Sequence, residues 1–199
     1  MGQNFDCELT GDASLRQRPM QRVATPLGQM RAEIRTAEGG RPPLKLLGIA
    51  NLRGIEYRLP IASAQVKSAL LLAGLYARGR TCVTEPAPTR DHTERALAAF
   101  GATLAVGAGR IALGGGQRLT AREVAVPGDF SSAAFWLVAA AALPGSRIEI
   151  EEVGLNPTRT ALVDVLRRFG AIVRVEVTGE DAGEPRGTIV VPMKDPPSG

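Results

Sequence analysis

Four stretches of the sequence bring hydroxyl, amide and guanidinium side chains to points where helices should begin. In Gly11-Asp12-Ala13-Ser14-Leu15-Arg16-Gln17-Arg18-Pro19-Met20 a Gly-Asp turn leads through two arginines into a helix. The N–H groups and macrodipole of a helix start add to guanidinium charge, so Arg18 there suits an anion. The same residues also make an ordinary capped helix with solvated arginines. In Ile61-Ala62-Ser63-Ala64-Gln65-Val66-Lys67-Ser68-Ala69, Ser63 is placed either to cap a helix or to donate to a phosphate. Gln65 is a polar residue leading an otherwise apolar helix. In Pro88-Thr89-Arg90-Asp91-His92-Thr93-Glu94 a hydroxyl and a guanidinium meet at a helix entry. Pro127-Gly128-Asp129-Phe130-Ser131-Ser132 reads as turn and cap chemistry, with a structural role. The chain has one histidine, so a Ser-His-Asp triad or a His-based zinc site rests on His92 or does not exist. Asp91, His92 and Glu94 stand too close together in sequence for a convincing metal site. These residues grip phosphate and carboxylate, but no acid–base pair accompanies them.

The elements that must position them are short. Gly (23) and Pro (14) are plentiful and aromatics are 4%, which suits many small elements joined by tight turns. Helices are predicted over Arg18–Met30, Ala62–Arg78, Asp91–Phe100, Ser131–Leu143 and Pro157–Phe169, several of them closed by a glycine. The helix after Asp129 is apolar on nearly all sides, as a helix buried between layers is. Strands are predicted over Ile55–Arg58, Arg80–Thr84, Thr103–Val106, Glu123–Val126, Arg147–Val153, Ile172–Val177 and Thr188–Val191. The class is therefore α/β or α+β with several small sheets.

A repeat runs through the chain. Met30-Arg31-Ala32-Glu33-Ile34, Phe100-Gly101-Ala102-Thr103-Leu104 and Phe169-Gly170-Ala171-Ile172-Val173 each end a helix and begin a strand, about 70 residues apart. Ala69–Thr84 matches Ala134–Val153, and Arg90–Phe100 matches Arg159–Phe169. The implied unit is βαβαββ, with the first copy short at its front, so the chain reads as a piece of a longer repeat protein.

Composition narrows the function. With 199 residues, 44% hydrophobic and 22% charged, the chain is globular rather than disordered. A net charge of +4 and a pI near 9.6 suit an anionic small molecule. They do not favour a nucleic acid, because the basic residues are scattered and stacking aromatics are few. Cys7 and Cys82 read as buried free thiols of a reducing compartment. The N-terminus has no signal pattern, and the longest apolar run, Ala133–Leu143, is well short of the roughly 18 residues of a membrane span. A cytoplasmic protein without membrane partners is expected.

The ordered motifs resemble those of the 5-enolpyruvylshikimate-3-phosphate synthase (EPSP synthase) family. Gly11–Met20 is similar to its GDxSLxxRPM stretch, and Ala62–Leu70 to its shikimate-phosphate loop and helix. Thr89–Glu94, Pro127–Ala133 and Asn156-Pro157-Thr158-Arg159-Thr160 follow in the family's order. The Ser-Ala-Gln and Thr-Arg-Asp-His-Thr-Glu forms resemble the bacterial class often tolerant of glyphosate. The sister family, UDP-N-acetylglucosamine enolpyruvyl transferase, shares the fold, but the first two stretches resemble the shikimate enzyme.

The resemblance implies an incomplete inside-out α/β barrel of βαβαββ units. Residues 1–126 would be the later two units of one domain, residues 127–192 the first unit of the second, and residues 193–199 a tail. The strand crossing between domains would lie near Val126-Pro127-Gly128. The implied reaction moves the enolpyruvyl group of phosphoenolpyruvate to the 5-hydroxyl of shikimate 3-phosphate and releases phosphate, with no metal or organic cofactor. By motif position, Ser63, Ala64, Gln65, Thr89 and Arg90 would meet shikimate 3-phosphate, Ala64 through its backbone alone. Arg18 and Gln65 would meet phosphoenolpyruvate. The family's Lys-Ser motif and GNSGTT-type loop would precede residue 1, and its proton-transfer carboxylates would follow residue 199. No catalytic residue is thus expected within this chain. A non-catalytic module that binds a complementing chain, another copy of itself or a phosphate ligand is the alternative.

Overall fold

The computed structural model describes residues 2–48 and 51–193. The chain divides into two compact units, residues 1–89 with 101–120, and residues 90–100 with 121–199.

The first unit holds two sheets. β1 (Cys7–Leu9), α1 (Ala13–Arg16), α2 (Gln21–Gln29), β2 (Ile34–Ala37) and β3 (Arg41–Leu46) lead into a three-stranded antiparallel sheet of order β1-β3-β2. β4 (Glu56–Arg58), α3 (Ala64–Tyr76), β5 (Arg80–Thr84), β6 (Leu104–Gly107) and β7 (Arg110–Gly114) supply the second. Its order is β4-β5-β7-β6, with only the β4–β5 pair parallel. α3 buries Val66, Leu70, Leu71, Ala73 and Leu75. It approaches β5 closely at Gly74, where a Cβ would stand 2.8 Å from the Thr81 hydroxyl, so only glycine fits there.

The second unit contains α4 (His92–Ala99), α5 (Phe130–Ala142), β8 (Ile148–Gly154), α6 (Ala161–Arg168), β9 (Arg174–Asp181) and β10 (Glu184–Val191). Its sheet has the order β8-β10-β9, all antiparallel. One core packs Phe130, Leu137, Val153, Val163, Val173 and Ile189 together.

The repeat is visible in the backbone. Met30, Phe100 and Phe169 are the C-caps of α2, α4 and α6. The next residues, Arg31, Gly101 and Gly170, all take the left-handed conformation, at φ 72°, 88° and 84°. Glycine adopts it without strain; Arg31 does so as a side-chain-bearing residue. The last three strands of each copy have the same order, β1-β3-β2, β5-β7-β6 and β8-β10-β9.

Several sequence expectations need correction. The helix predicted from Arg18 starts at Gln21, and Ala13–Arg16 forms a separate helix capped by Asp12. β2 begins at Ile34, where the repeat places the start of a strand, while β1, β3 and β7 have no counterpart among the predicted ranges. Glu123–Val126 is not a strand; a single parallel bridge joins Gly128 to Val153. The Ala125 N–H goes to the Asp181 carboxylate at 2.6 Å, Pro127 has no N–H to give, and β8 is bent where Glu152 adopts φ 52°. The stretch 157–160 is a turn before α6 rather than its first turn. Cys82 is buried as expected, but Cys7 is only half-buried. The tail predicted over 193–199 lies outside the described residues apart from Met193. No helix among the described residues is long and apolar enough to cross a membrane.

Candidate anion site

α3 opens one end of the site. Ser63 has the extended backbone of an N-cap, and its Oγ accepts a 3.4 Å hydrogen bond from the Val66 N–H. The cap is neutral, so the first-turn N–H groups of Ala64 and Gln65 keep their positive field. Gln65 reaches sideways from the first turn, and its Oε1 accepts from the Arg22 guanidinium at 2.8 Å. Arg22 lies on α2, so this bond ties the N-terminus of α3 to a cationic side chain 43 residues earlier. Beside it is a cleft of about 370 Å³, lined among others by Gln21, Arg22, Thr25, Tyr57, Ile61 and Ser63.

The rest of the predicted set is distributed as follows. Ala64 is the first residue of α3. Thr89 belongs to the first unit, and its hydroxyl donates to Glu85 Oε1. Glu85 Oε2 is 3.1 Å from the buried Lys67 Nζ. Arg18 is exposed on the turn between α1 and α2 and lies outside the lining of the cleft. Arg90 is exposed and opens the second unit. Ser63, Ala64 and Gln65 thus share one helix end. Arg22, which the sequence reading passed over, joins them. Its signal was the basic spacing Arg16, Arg18, Arg22 along one segment, but the contact with Gln65 has no sequence signature.

The second unit has its own polar cluster. The fully buried Asn156 donates to Asp91 Oδ1 and Glu184 Oε2, both at 2.8 Å, and its Oδ1 accepts from the Thr158 N–H and hydroxyl. His92 Nδ1 stands 2.6 Å from Glu184 Oε1. Burial alone would push the Asp91 carboxyl up. The Asn156 and Arg95 hydrogen bonds and the Arg95 charge more than offset this and hold it below the usual carboxylate range. The N-terminus of α5 is closed by its own carboxylate, since Asp129 accepts from the Ser131 and Ser132 N–H groups at 3.1 Å.

Comparison with known proteins decides the family. A profile of the family described as "EPSP synthase (3-phosphoshikimate 1-carboxyvinyltransferase)" matches residues 1–195. The chain belongs to the EPSP synthase family. Among its relatives in this family is a protein named 3-phosphoshikimate 1-carboxyvinyltransferase from Alkalilimnicola ehrlichii, 59% identical over 184 residues. The match covers 92% of this chain and 41% of that relative. One of the same name from Methylococcus capsulatus is 54% identical, with 92% and 42% covered. The solved structure of EPSP synthase from Acinetobacter baumannii superposes with a TM-score of 0.84 at 50% identity, over 96% of this chain and 43% of that one. The incomplete α/β repeat fold is therefore that of the EPSP synthases. This chain spans about two fifths of the length of the relatives it matches.

Proposed function

We propose that this chain carries the shikimate 3-phosphate side of an EPSP synthase. In that enzyme, enolpyruvyl passes from phosphoenolpyruvate to the 5-hydroxyl of shikimate 3-phosphate and phosphate leaves, in the reducing cytoplasm. The observation that carries the reading is the α3 N-terminus. A neutral Ser63 cap leaves the helix field available, and the Gln65–Arg22 bond brings a guanidinium beside it. In this reading the phosphate sits on Ser63 and the Ala64 backbone, with Arg90 as its guanidinium partner and Thr89 beside it. Gln65 lies between the two substrates, and Arg18 takes the carboxylate or phosphate of phosphoenolpyruvate. Residues 1–126 form two repeats of one domain and residues 127–192 the first repeat of the other. The common strand order of the three copies supports three repeats, and the parallel Gly128–Val153 bridge, which stands where β4 pairs with β5, supports a repeat that starts near residue 127.

Calorimetric titration of shikimate 3-phosphate, with shikimate as control, tests the reading. Binding that requires the phosphate is expected. Arg90→Ala should weaken it by about 1.5–3 kcal/mol, the usual worth of a charged hydrogen bond. Equal affinity for shikimate would overturn the site assignment.

A second reading concerns partners. α5 leaves Phe135 80% and Trp136 64% exposed, with Val138 and Leu143 beside them. Such an apolar face marks an interaction surface, and we propose that a complementing chain or another copy of this one covers it. Sedimentation equilibrium should show association that Phe135→Ser with Trp136→Ser abolishes. A monomer at all concentrations, alone and with the rest of the enzyme supplied in trans, would exclude it.

A further inference from the structure

Lys67 is the most unexpected residue in the first unit. It is 0% exposed on a helix whose other buried positions are Val66, Leu70, Leu71, Ala73, Gly74 and Leu75. A buried ammonium is tolerated only with a partner, and Lys67 Nζ lies 3.1 Å from Glu85 Oε2, whose side chain is 6% exposed. The other oxygen of that carboxylate accepts the Thr89 hydroxyl. Glu85 is also fixed through its backbone, its N–H donating to Gly109 O at 2.8 Å. Lys67 stands one helical turn after Ser63, its own N–H bonded to Ser63 O at 3.1 Å. One carboxylate therefore ties the first turns of α3 to the segment after β5, the two stretches that the proposed function assigns to the phosphate.

We propose that Lys67 and Glu85 are positioning residues for the phosphate site, and that Thr89 acts through them rather than as a phosphate donor. A threonine hydroxyl has one hydrogen, and here Glu85 takes it. The oxygen then offers only lone pairs, which repel a phosphate oxygen. With its hydroxyl held on Glu85, Thr89 fixes the start of the Arg90 peptide unit, while the ammonium holds the Glu85 side chain in place. The assignment rests on the proposed function for what is positioned, but not for the coupling itself.

Two measurements on the whole 199-residue chain test it. The first is the order parameter of the Thr89 methyl group by NMR, which needs no ligand. It should be high in the parent chain, fall in Glu85→Ala and Lys67→Met, and fall in the double variant Lys67→Met with Glu85→Leu, which removes both buried charges together. An unchanged methyl in Glu85→Ala would overturn the proposal. Where a single variant fails to fold, the double variant decides the case, and an unchanged methyl there would likewise overturn the proposal; the second measurement is shikimate 3-phosphate affinity. Thr89→Val should lower it about tenfold, the scale of one charge-assisted hydrogen bond. In Glu85→Ala, or in the double variant, Thr89→Val should add nothing further. Additive losses would make Thr89 a direct ligand and overturn the proposal. If the parent chain does not bind shikimate 3-phosphate while the methyl loosens as expected, the proposed function fails and the coupling stands.

Discussion

α3 and α5 occupy the same slot in two copies of one repeat, and each is thirteen residues long. Their environments differ. α3 buries seven residues, one of them a lysine, whereas α5 buries only Phe130, Ala133 and Leu137 and turns Phe135 and Trp136 outward. Their N-termini differ as well. Ser63 caps α3 with a neutral hydroxyl, while Asp129 caps α5 with a carboxylate already bonded to two first-turn N–H groups. The charge around them follows suit. The first unit carries fourteen Lys and Arg against seven Asp and Glu, the second ten against thirteen. One architecture thus starts a helix under a neutral hydroxyl in one copy and under its own carboxylate in the other. The backbone provides the field, and the cap residue decides whether a ligand can use it.

The largest expected effect separates the two helices by burial. Leu71→Ala, at a fully buried site of α3, should cost about 2–5 kcal/mol in urea unfolding. Trp136→Ser on the outer face of α5 should change monomer stability by no more than about 0.5 kcal/mol. Equal costs would mean that α5 is as enclosed as α3. The next effect exchanges the caps. Ser63→Asp should preserve α3, because aspartate caps as well as serine. It should nonetheless weaken shikimate 3-phosphate binding by at least about tenfold, since a fixed carboxylate then competes with the phosphate for the same N–H groups. Unaltered affinity would remove the α3 N-terminus from the site.

The helices of the later repeats were legible because caps and glycine stops bracket them, as with Ser63 and Gly79 around α3 or Asp129 and Gly145 around α5. β5 was legible to the residue, since Arg80–Thr84 is a β-branched run between glycine and proline signals. β3 was not, because Arg41-Pro42-Pro43 reads as a strand breaker. The structure accommodates the prolines at a register shift. Thr36 pairs with Leu44 and Ala37 with Arg41, so the β2 ladder skips both prolines, and β1 pairs only beyond them. β1 itself has three residues, too few to show a period. At the candidate site, the cap and first-turn chemistry of Ser63 and Gln65 could be read locally. The Arg22–Gln65 and Lys67–Glu85 contacts join residues 43 and 18 apart, and no local pattern encodes such pairs. The apolar sequence of α5 suggested a helix buried between layers, but composition alone does not say whether a covering layer is there.

The smallest effect comes from the charge of the α5 cap. Asp129 is held below the usual carboxylate range chiefly by the Ser131 N–H, with further bonds from Ser132. Asp181 is lowered likewise, first by the Ala125 N–H and then by Arg122, and Asp91 by Asn156 and Arg95 against the effect of its burial. All three belong to the second unit. A carboxyl whose folded value lies below its unfolded value of about 3.9 adds stability at higher pH and loses it as pH falls through the folded value. The Ser63 cap has no proton to gain in that range. Acid should therefore weaken the second unit before the first. The sole tryptophan, Trp136, reports the second unit, and Tyr57 and Tyr76, the only tyrosines, report the first. In thermal scans from pH 7 down to about pH 2.5, the Trp136 transition should begin to fall once the pH drops below about 4 and should fall further than the tyrosine transition. Parallel movement of the two would mean that the cap charges are not what distinguishes these repeats.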